Sequence, residues 1–164
     1  QQHAEYSYLV DLLKDHGFDH YEISNFGKPG FHSQHNSAYW KSKEYLGIGP
    51  SAHSFNGWNE RSWNISNNRR YIDALNENTL AKESEILTEK EQFNEMLMIG
   101  LRTMWGVDLQ QMEGKFSDII QEEFQKNTAP KLESGILTIE NRHLRIPEKH
   151  WFLADGIASD LFIL

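Results

Sequence analysis

The chain has 164 residues, of which 38% are hydrophobic and 12% aromatic, so it can build a packed core, and wholesale disorder is excluded. Its formal net charge of −8 excludes a nucleic-acid backbone as the main partner, because that binding needs a concentrated positive surface. It has no cysteine, which excludes disulfides, thiolate metal sites and cysteine-ligated iron–sulfur clusters held by this chain alone. No long apolar run and no signal-peptide pattern is present, so no transmembrane segment is expected and the cytoplasm is the expected compartment.

The first residues predict part of an α/β domain. Apolar residues at helical spacing predict a helix over 4–16, and Gly17 stands where a C-cap glycine is expected. HYEIS, residues 20–24, then predicts a short strand. Because a helix followed directly by a strand is half of an α/β repeat, we expect the chain to begin inside a larger domain of this kind.

The next segment predicts loops around one more strand. NFGKPG, residues 25–30, predicts a turn-rich loop, and EYLGIG, residues 44–49, predicts a second buried strand. Residues 51–68 are rich in Asn, Ser, Gly and Trp without a clean period, so they predict irregular structure with short extended pieces. A modest helix is expected over 68–77.

A charged boundary near residues 81–87 precedes a helical second part. TEKE, residues 88–91, predicts a capping box, and the apolar stripe that follows predicts a helix that stops at Gly106. Two further helices are expected over 107–115 and 117–125.

The last residues predict a hairpin and a closing helix. ILTIE and HLRI flank a polar Asn141-Arg142 turn, so residues 136–146 predict a β-hairpin. Pro147 then begins a last helix with Trp151 on its apolar side. Helices, a two-stranded wing and a closing helix together predict a winged-helix-like module.

The stretch HNSAYW, residues 35–40, has two interpretations. A neutral imidazole such as that of His35 can ligate a metal or haem iron, and Tyr39 and Trp40 can pack on a porphyrin face. Equally, His35 can be a loop histidine with a structural role beside two core aromatic residues. Asn36 is expected to fix the loop by bonding backbone groups. His53 is a weaker ligand candidate, and short motifs of this kind do not decide between binding and structure.

Two glycines in GIGP give a second candidate site. Gly47 and Gly49 can let the backbone approach a nucleotide or a pyrophosphate-like group, because glycine leaves room where a side chain would interfere. A tight turn explains the same pair equally well.

Four blocks in a fixed order give a more specific indication. They are EISNF at residues 22–26, KPG at 28–30, HNxxYW at 35–40 and GIGPxAHS at 47–54. Together they resemble the second half of the radical-SAM haem chaperones, relatives of oxygen-independent coproporphyrinogen III oxidase. The LRTMWGVDL block and the end of the chain resemble that family's C-terminal domain, so the resemblance covers essentially the whole chain. HNxxYW resembles the haem-chaperone branch and not the true oxidases.

The resemblance implies an α+β fold, with a C-terminal remnant of a partial β/α barrel over residues 1–82. A mainly helical, winged-helix-like domain with a β-hairpin is implied over 83–164. It also implies two sets of site residues, and neither a catalytic residue nor a metal ligand in this chain. The haem-binding candidates are His35, Asn36, Tyr39 and Trp40. The candidates for the pocket of S-adenosylmethionine (SAM) are Ile23, Ser24, Gly47, Gly49 and Ala52.

The family holds a [4Fe–4S] cluster with a CxxxCxxC loop, which this chain lacks. Because the cluster must donate an electron to SAM, the chain alone is expected to be inert in radical chemistry and to bind haem only weakly. The complete protein is expected to use the cluster, SAM and haem.

Three functions stay open for that complete protein. In the first, it is a haem chaperone that binds haem or a porphyrin and passes haem to an unidentified acceptor protein. In the second, it is an oxygen-independent coproporphyrinogen III oxidase, which decarboxylates propionate side chains oxidatively. The third and least specific is a winged-helix interaction module.

Overall fold

The structure is a computed structural model that describes all residues, 1–164. It is 47% helical and 18% strand, which confirms the expected mixture of helix and sheet. None of its helices combines the length and the apolar character that crossing a bilayer requires.

The first helix and strand are confirmed. Helix α1 spans Gln2–Asp15, and Gly17 follows it with a φ of +78°, a conformation that glycine adopts without strain. Strand β1, Asp19–Glu22, pairs antiparallel with β2, Asn25–Gly27. The loop predicted over 25–30 is therefore wrong in its first half, because pairing with β1 overrides the turn-forming character of Asn and Gly.

The HNSAYW stretch is helical. Helix α2 spans Gln34–Trp40, and the hydroxyl of Ser33 at its N-cap accepts from the N–H of Asn36. The loop expected around His35 is wrong, because a serine N-cap and a run free of Gly and Pro allow a helix to form.

A three-stranded antiparallel sheet follows, with strand order β3-β4-β5. Its strands are β3 (His53–Phe55), β4 (Glu60–Asn64) and β5 (Lys82–Ile86). Helix α3, Asn68–Asn76, connects β4 to β5 and confirms the modest helix predicted there. The expectation for residues 51–68, irregular structure with short extended pieces, is confirmed, because β3 and β4 are the extended pieces and the residues around them lie outside any strand.

The buried strand predicted over 44–49 is absent. Only Tyr45 pairs, in an isolated bridge with Phe55, and the side chains of Leu46 and Ile48 are 79% and 83% exposed. An apolar run becomes a buried strand only when neighbouring strands pair with it and other layers cover it. This segment has one bridge and no cover.

The C-terminal part is mostly helical, as predicted. Thr88 Oγ1 accepts from the N–H of Glu91, and the Glu91 carboxylate accepts from the N–H of Thr88, which confirms the capping box. The first helix ends at Gly100, before the Gly106 stop that the sequence predicts, because the chain turns there to enter a strand. The helices are α4 (Glu89–Gly100), α5 (Leu109–Lys115), α6 (Asp118–Glu133), a 3₁₀ helix (Glu148–Leu153) and α7 (Ala154–Ser159).

The predicted β-hairpin is confirmed and belongs to a larger sheet. After β6, Val107–Asp108, come β7, Thr138–Glu140, and β8, His143–Arg145, which pair with each other. Asn141 and Arg142 between them both have positive φ, as a type I′ turn requires. Strand β6 adds to β8, so the order is β6-β8-β7. The winged-helix likeness and the division into two domains stay predictions.

Sixteen buried residues form one hydrophobic cluster, and all of them lie in the C-terminal part. Ile23, just after β1, packs against this cluster, and its N–H donates to the Arg102 carbonyl at 3.0 Å. The N–H of Met104 donates to the Tyr21 carbonyl at 3.1 Å. The β1–β2 hairpin is thereby docked on the C-terminal core, which positions the segment leading to α2. The cluster consists of Phe93, Leu97, Leu101, Val107, Met112, Phe116, Ile120, Phe124, Leu137, Leu144, Ile146, Trp151, Ala154, Ala158, Leu161 and Ile163.

Candidate functional site

Helix α2 is anchored at its N-terminal end. The side-chain amide of Asn36 donates to Oδ1 of Asn25 on β2 at 3.3 Å. The expectation that Asn36 bonds backbone groups is wrong, because its partner is another side chain. This contact ties α2 to the β1–β2 hairpin, so that His35 is presented from a helix that is held in place.

His35 lies on an exposed side of α2. Its ring meets that of Tyr39 edge-on, with centroids 4.9 Å apart and planes at 90°. The ring of Tyr39 in turn meets that of Tyr45 edge-on at 4.6 Å. Neither ring nitrogen of His35 has a hydrogen-bond partner within the chain, so the imidazole is accessible and free to ligate a metal.

Trp40 lies on a different face of α2, toward the C-terminal part. It lines a cavity of about 410 Å³ between that part, the end of α2 and the β3–β4 hairpin. Its indole N–H is buried and has no hydrogen-bond partner in the chain. The four predicted haem residues are thus divided: His35 and Tyr39 at the surface, Asn36 at the anchor and Trp40 in the cavity.

His32 is a further candidate residue, which the sequence did not single out. Its Nε2 lies 2.8 Å from the carboxylate of Asp19, and its ring stacks on that of Tyr21 at 4.5 Å. It lines a second cavity, also of about 410 Å³, together with Lys41 and Trp105. A carboxylate on one nitrogen orients an imidazole in the way seen for metal-ligating histidines. The available signal was the first histidine of HSQH, directly before the motif.

Gly47, Gly49 and Ala52 come together in the turn before β3. The side-chain amide of Asn64 donates to the carbonyls of both glycines, at 3.2 and 2.9 Å. A Cβ on Gly47 would lie 2.1 Å from the carbonyl oxygen of His53, so the chain's own backbone requires glycine there. These contacts support a tight turn as the reason for the glycine pair.

Ile23 and Ser24, the other predicted SAM residues, lie directly after β1. The carbonyl of Ile23 accepts from the hydroxyl of Tyr6 at 3.2 Å, and Ser24 donates its N–H and hydroxyl to the carboxylate of Glu22. No hydrogen bond or ion pair joins them to the glycine turn before β3. A SAM pocket built from both groups stays a prediction. The remaining candidate, His53, is exposed, with its ring 6.0 Å from that of Trp63.

Glu22, which opens the EISNF block, is a second residue that sequence reasoning missed. Its side chain is 1% exposed, and its carboxylate accepts from Ser24, from the Asn25 amide at 2.5 Å and from the Arg102 guanidinium at 3.2 Å. Burial raises the pKa of this carboxyl, but the hydrogen bonds from Asn25, Ser24 and Arg102 outweigh burial and lower the pKa below its ordinary value. Glu22 therefore stays ionised while it holds β1, β2 and the C-terminal part together.

A second polar network joins β1 to the 3₁₀ helix. The buried ring of His20 stacks on that of Phe26 at 4.3 Å, and its Nδ1 lies 3.1 Å from the carboxylate of Glu148. Burial, with the nearby carboxylates of Glu148 and Glu22, raises the pKa of Tyr6 to about 12, so its hydroxyl remains a donor at neutral pH. Together the two networks hold the hairpin, and through it α2, on the C-terminal part.

Comparisons with known proteins show what the chain is similar to. A family model described as the HemN C-terminal domain matches residues 87–153. A heme chaperone HemW of Lactococcus lactis is 31% identical over 152 residues, covering 93% of this chain and 40% of that protein. A heme chaperone HemW of Bacillus subtilis is 31% identical over 146 residues, covering 83% of this chain and 38% of the relative.

One solved structure has the same fold. It is coproporphyrinogen III oxidase (HemN) from Escherichia coli, described as a radical SAM enzyme, with a TM-score of 0.67 and 18% identity. The match covers 95% of this chain and 39% of that one, and the chain spans about two fifths of the length of the curated relatives above. Family model, relatives and fold agree that the chain belongs, as a C-terminal part, to the HemN/HemW-like radical SAM proteins.

Proposed function

We propose that this chain contributes haem binding to a haem chaperone of the family, with His35 as the residue that meets the iron. The observation that carries the proposal is the imidazole of His35, which is accessible, free of hydrogen bonds within the chain and braced edge-on by Tyr39. Haem is the cargo in this proposal, and an acceptor protein receives it. The name heme chaperone, carried by relatives 31% identical to this chain, supports the choice of cargo.

The radical chemistry of the complete protein is proposed to depend on residues outside this chain. A [4Fe–4S] cluster needs thiolate ligands, and the chain has no cysteine to supply them. The cluster would supply an electron to SAM, while the part described here would hold the cargo. The glycine turn before β3 and the end of β1 are proposed to border the SAM pocket of the complete protein.

Oxidative decarboxylation of a porphyrinogen is the alternative activity. The likeness to the Escherichia coli oxidase concerns the fold alone at 18% identity, so it does not favour this activity over haem transfer. No residue of the described site favours it either.

A haem titration tests the proposal. Purified chain is titrated with haem, and the Soret band is recorded for the unsubstituted chain and for His35→Ala. Because imidazole ligation changes the electronic spectrum of the iron, His35→Ala is expected to shift the Soret band and to weaken binding by about tenfold or more.

The matched control is His16→Ala, which removes another exposed histidine, at the end of α1. It is expected to leave the Soret band and the affinity unchanged. Circular dichroism shows whether each variant is folded. The same spectrum and affinity in folded His35→Ala as in the unsubstituted chain would return His35 to a structural role.

A further inference from the structure

Aromatic rings and lysines line the cavity between the C-terminal part, the end of α2 and the β3–β4 hairpin. We call it the Trp–Lys cleft and define it by Trp40, Trp58, Trp105, Lys41 and Lys115, which all line it. Its volume of about 410 Å³ falls within the range of small-molecule sites, at the lower end. It lies between two parts of the chain, where such sites are common.

The two lysines are positioned by tryptophan rings. The Nζ of Lys41 lies 5.2 Å from the ring centre of Trp105, and the Nζ of Lys115 lies 5.0 Å from that of Trp58. Each arrangement is a cation–π contact, which holds a flexible ammonium group over a flat surface. The cleft therefore presents two cations at its walls, each next to an aromatic ring.

Neither lysine is neutralised by an ion pair. All ten ion pairs in the structure involve other cations, although the protein carries a net charge of −8. Burial lowers the pKa of Lys115, and the negative charge of Glu95 only partly opposes this effect. An anionic ligand would thus find ammonium groups that are not already paired.

The acidic groups that line the cleft have other partners. Glu95 pairs with Arg61 at 2.7 Å, and Asp108 caps α5 by accepting from the N–H groups of Gln110 and Gln111 at 2.9 and 3.2 Å. Neither carboxylate forms an ion pair with Lys41 or Lys115. Two unpaired cations flanked by three tryptophans favour a ligand that is flat, aromatic and anionic.

We propose that the Trp–Lys cleft binds the propionate edge of a porphyrin, with its carboxylates paired to Lys41 and Lys115 and a pyrrole face against the tryptophans. This inference rests on the proposed function, because haem binding is what makes a porphyrin the relevant anion. It adds a subsite for the carboxylates that is separate from the iron ligand. The small volume means that one edge of the macrocycle enters the cleft while the rest extends outside it.

Iron-free porphyrin tests the subsite independently of iron ligation. The chain is titrated with protoporphyrin IX and with its dimethyl ester, and quenching of tryptophan fluorescence gives the affinity. The diacid is expected to bind more tightly than the ester, because only the diacid offers charges to the lysines. Lys41→Met and Lys115→Met are each expected to weaken diacid binding by about tenfold, as for the loss of one charged hydrogen bond, and to leave ester binding unchanged.

Two further variants sharpen the test. Lys115→Arg keeps the charge and is expected to stay within about threefold of the unsubstituted chain, a difference below 1 kcal/mol. Lys126→Met removes an exposed lysine of α6 outside the cleft and is expected to change neither affinity. Equal affinity for diacid and ester in the unsubstituted chain would overturn the proposal, even if the methionine variants fail to fold. Equal losses for diacid and ester in folded methionine variants would also overturn it.

The two proposals can fail separately. His35→Ala is expected to change haem binding but not the binding of iron-free protoporphyrin IX. If His35→Ala leaves haem binding unchanged while the lysine variants still weaken diacid binding, the proposed iron ligand is wrong and the carboxylate subsite stands. If haem depends on His35 while diacid and ester bind alike, the subsite is wrong and the iron ligand stands.

Discussion

The guanidinium of Arg102 lies 3.2 Å from the carboxylate of Glu22, which is almost completely buried between the β1–β2 hairpin and the C-terminal core. The two residues are far apart in sequence and belong to the two parts of the chain. Because α2 is attached to this hairpin, the pair helps to position His35 and the Trp–Lys cleft. The contribution of this ion pair can be measured as a change in the free energy of unfolding.

Arg102→Met is expected to lower the free energy of unfolding by about 3 kcal/mol, because it leaves a buried carboxylate without its cation. Urea denaturation at neutral pH measures the loss. Arg142→Met is the control, since Arg142 and its partner Glu113 are both mostly exposed, and it is expected to cost less than about 1 kcal/mol. Equal losses in the two variants would show that the Glu22 carboxylate is satisfied without Arg102.

Stability is expected to fall on acidification, and Glu22 contributes to this fall. The pKa of Glu22 in the folded chain lies below its ordinary value of 4.5, so the folded state favours the ionised form. Its contribution is therefore present above pH 4.5 and is lost as the pH falls through the lower folded pKa. The same holds for Glu148. Burial raises its pKa, but the hydrogen bonds from Lys14 and His20 outweigh burial and lower the pKa below its ordinary value.

Glu22→Gln checks this pH dependence. The variant is expected to be less stable than the unsubstituted chain near neutral pH, and the difference is expected to shrink as the pH falls to about 3. Urea denaturation at a series of pH values measures both curves. A difference that stays constant over the whole series would mean that ionisation of Glu22 does not stabilise the fold.

Gly106→Ala is expected to destabilise the chain by more than about 2 kcal/mol. Gly106 has a φ of +74°, and an added Cβ would lie 2.3 Å from the carbonyl oxygen of Leu144, so both strain and a clash result. Gly114→Ala is the matched control, since its Cβ would meet nothing within 4 Å in the interior of α5. It is expected to stabilise by roughly 0.5–1 kcal/mol. Thermal unfolding followed by circular dichroism compares them, and similar midpoints would contradict the tight packing of the turn before β6.

Thr88→Ala is expected to cost about 1 kcal/mol, because it removes the side chain that accepts from the N–H of Glu91 at the start of α4. Chemical denaturation measures the change. Ser66→Ala, an exposed serine outside any helix or strand, is expected to be neutral. If the two variants lose the same free energy, the capping box contributes nothing to stability.

Much of the C-terminal part was predictable because its signals are local. The Thr88 capping box, the Asn141-Arg142 turn and Pro147 each act within a few residues of themselves, and the structure has a helix start, a hairpin and a 3₁₀ helix at these places. The three-stranded sheet could not be foreseen in the same way. Its strand β5 reads as a charged, fully exposed segment, and its pairing with β4 depends on a partner about 20 residues away.

The sequence by itself determined the family, because the order and spacing of four residue blocks can be recognised without knowing any contact in the structure. It also identified the HNSAYW stretch as a candidate site, because a histidine and two aromatic residues are side chains that can contact haem. Only the tertiary structure decided how those residues are divided, with His35 and Tyr39 exposed and Trp40 turned into a cleft. The physical reason is that burial, ion pairing and cavities arise between segments distant in sequence, as Glu22 and Arg102 show, whereas capping and turns arise within one segment.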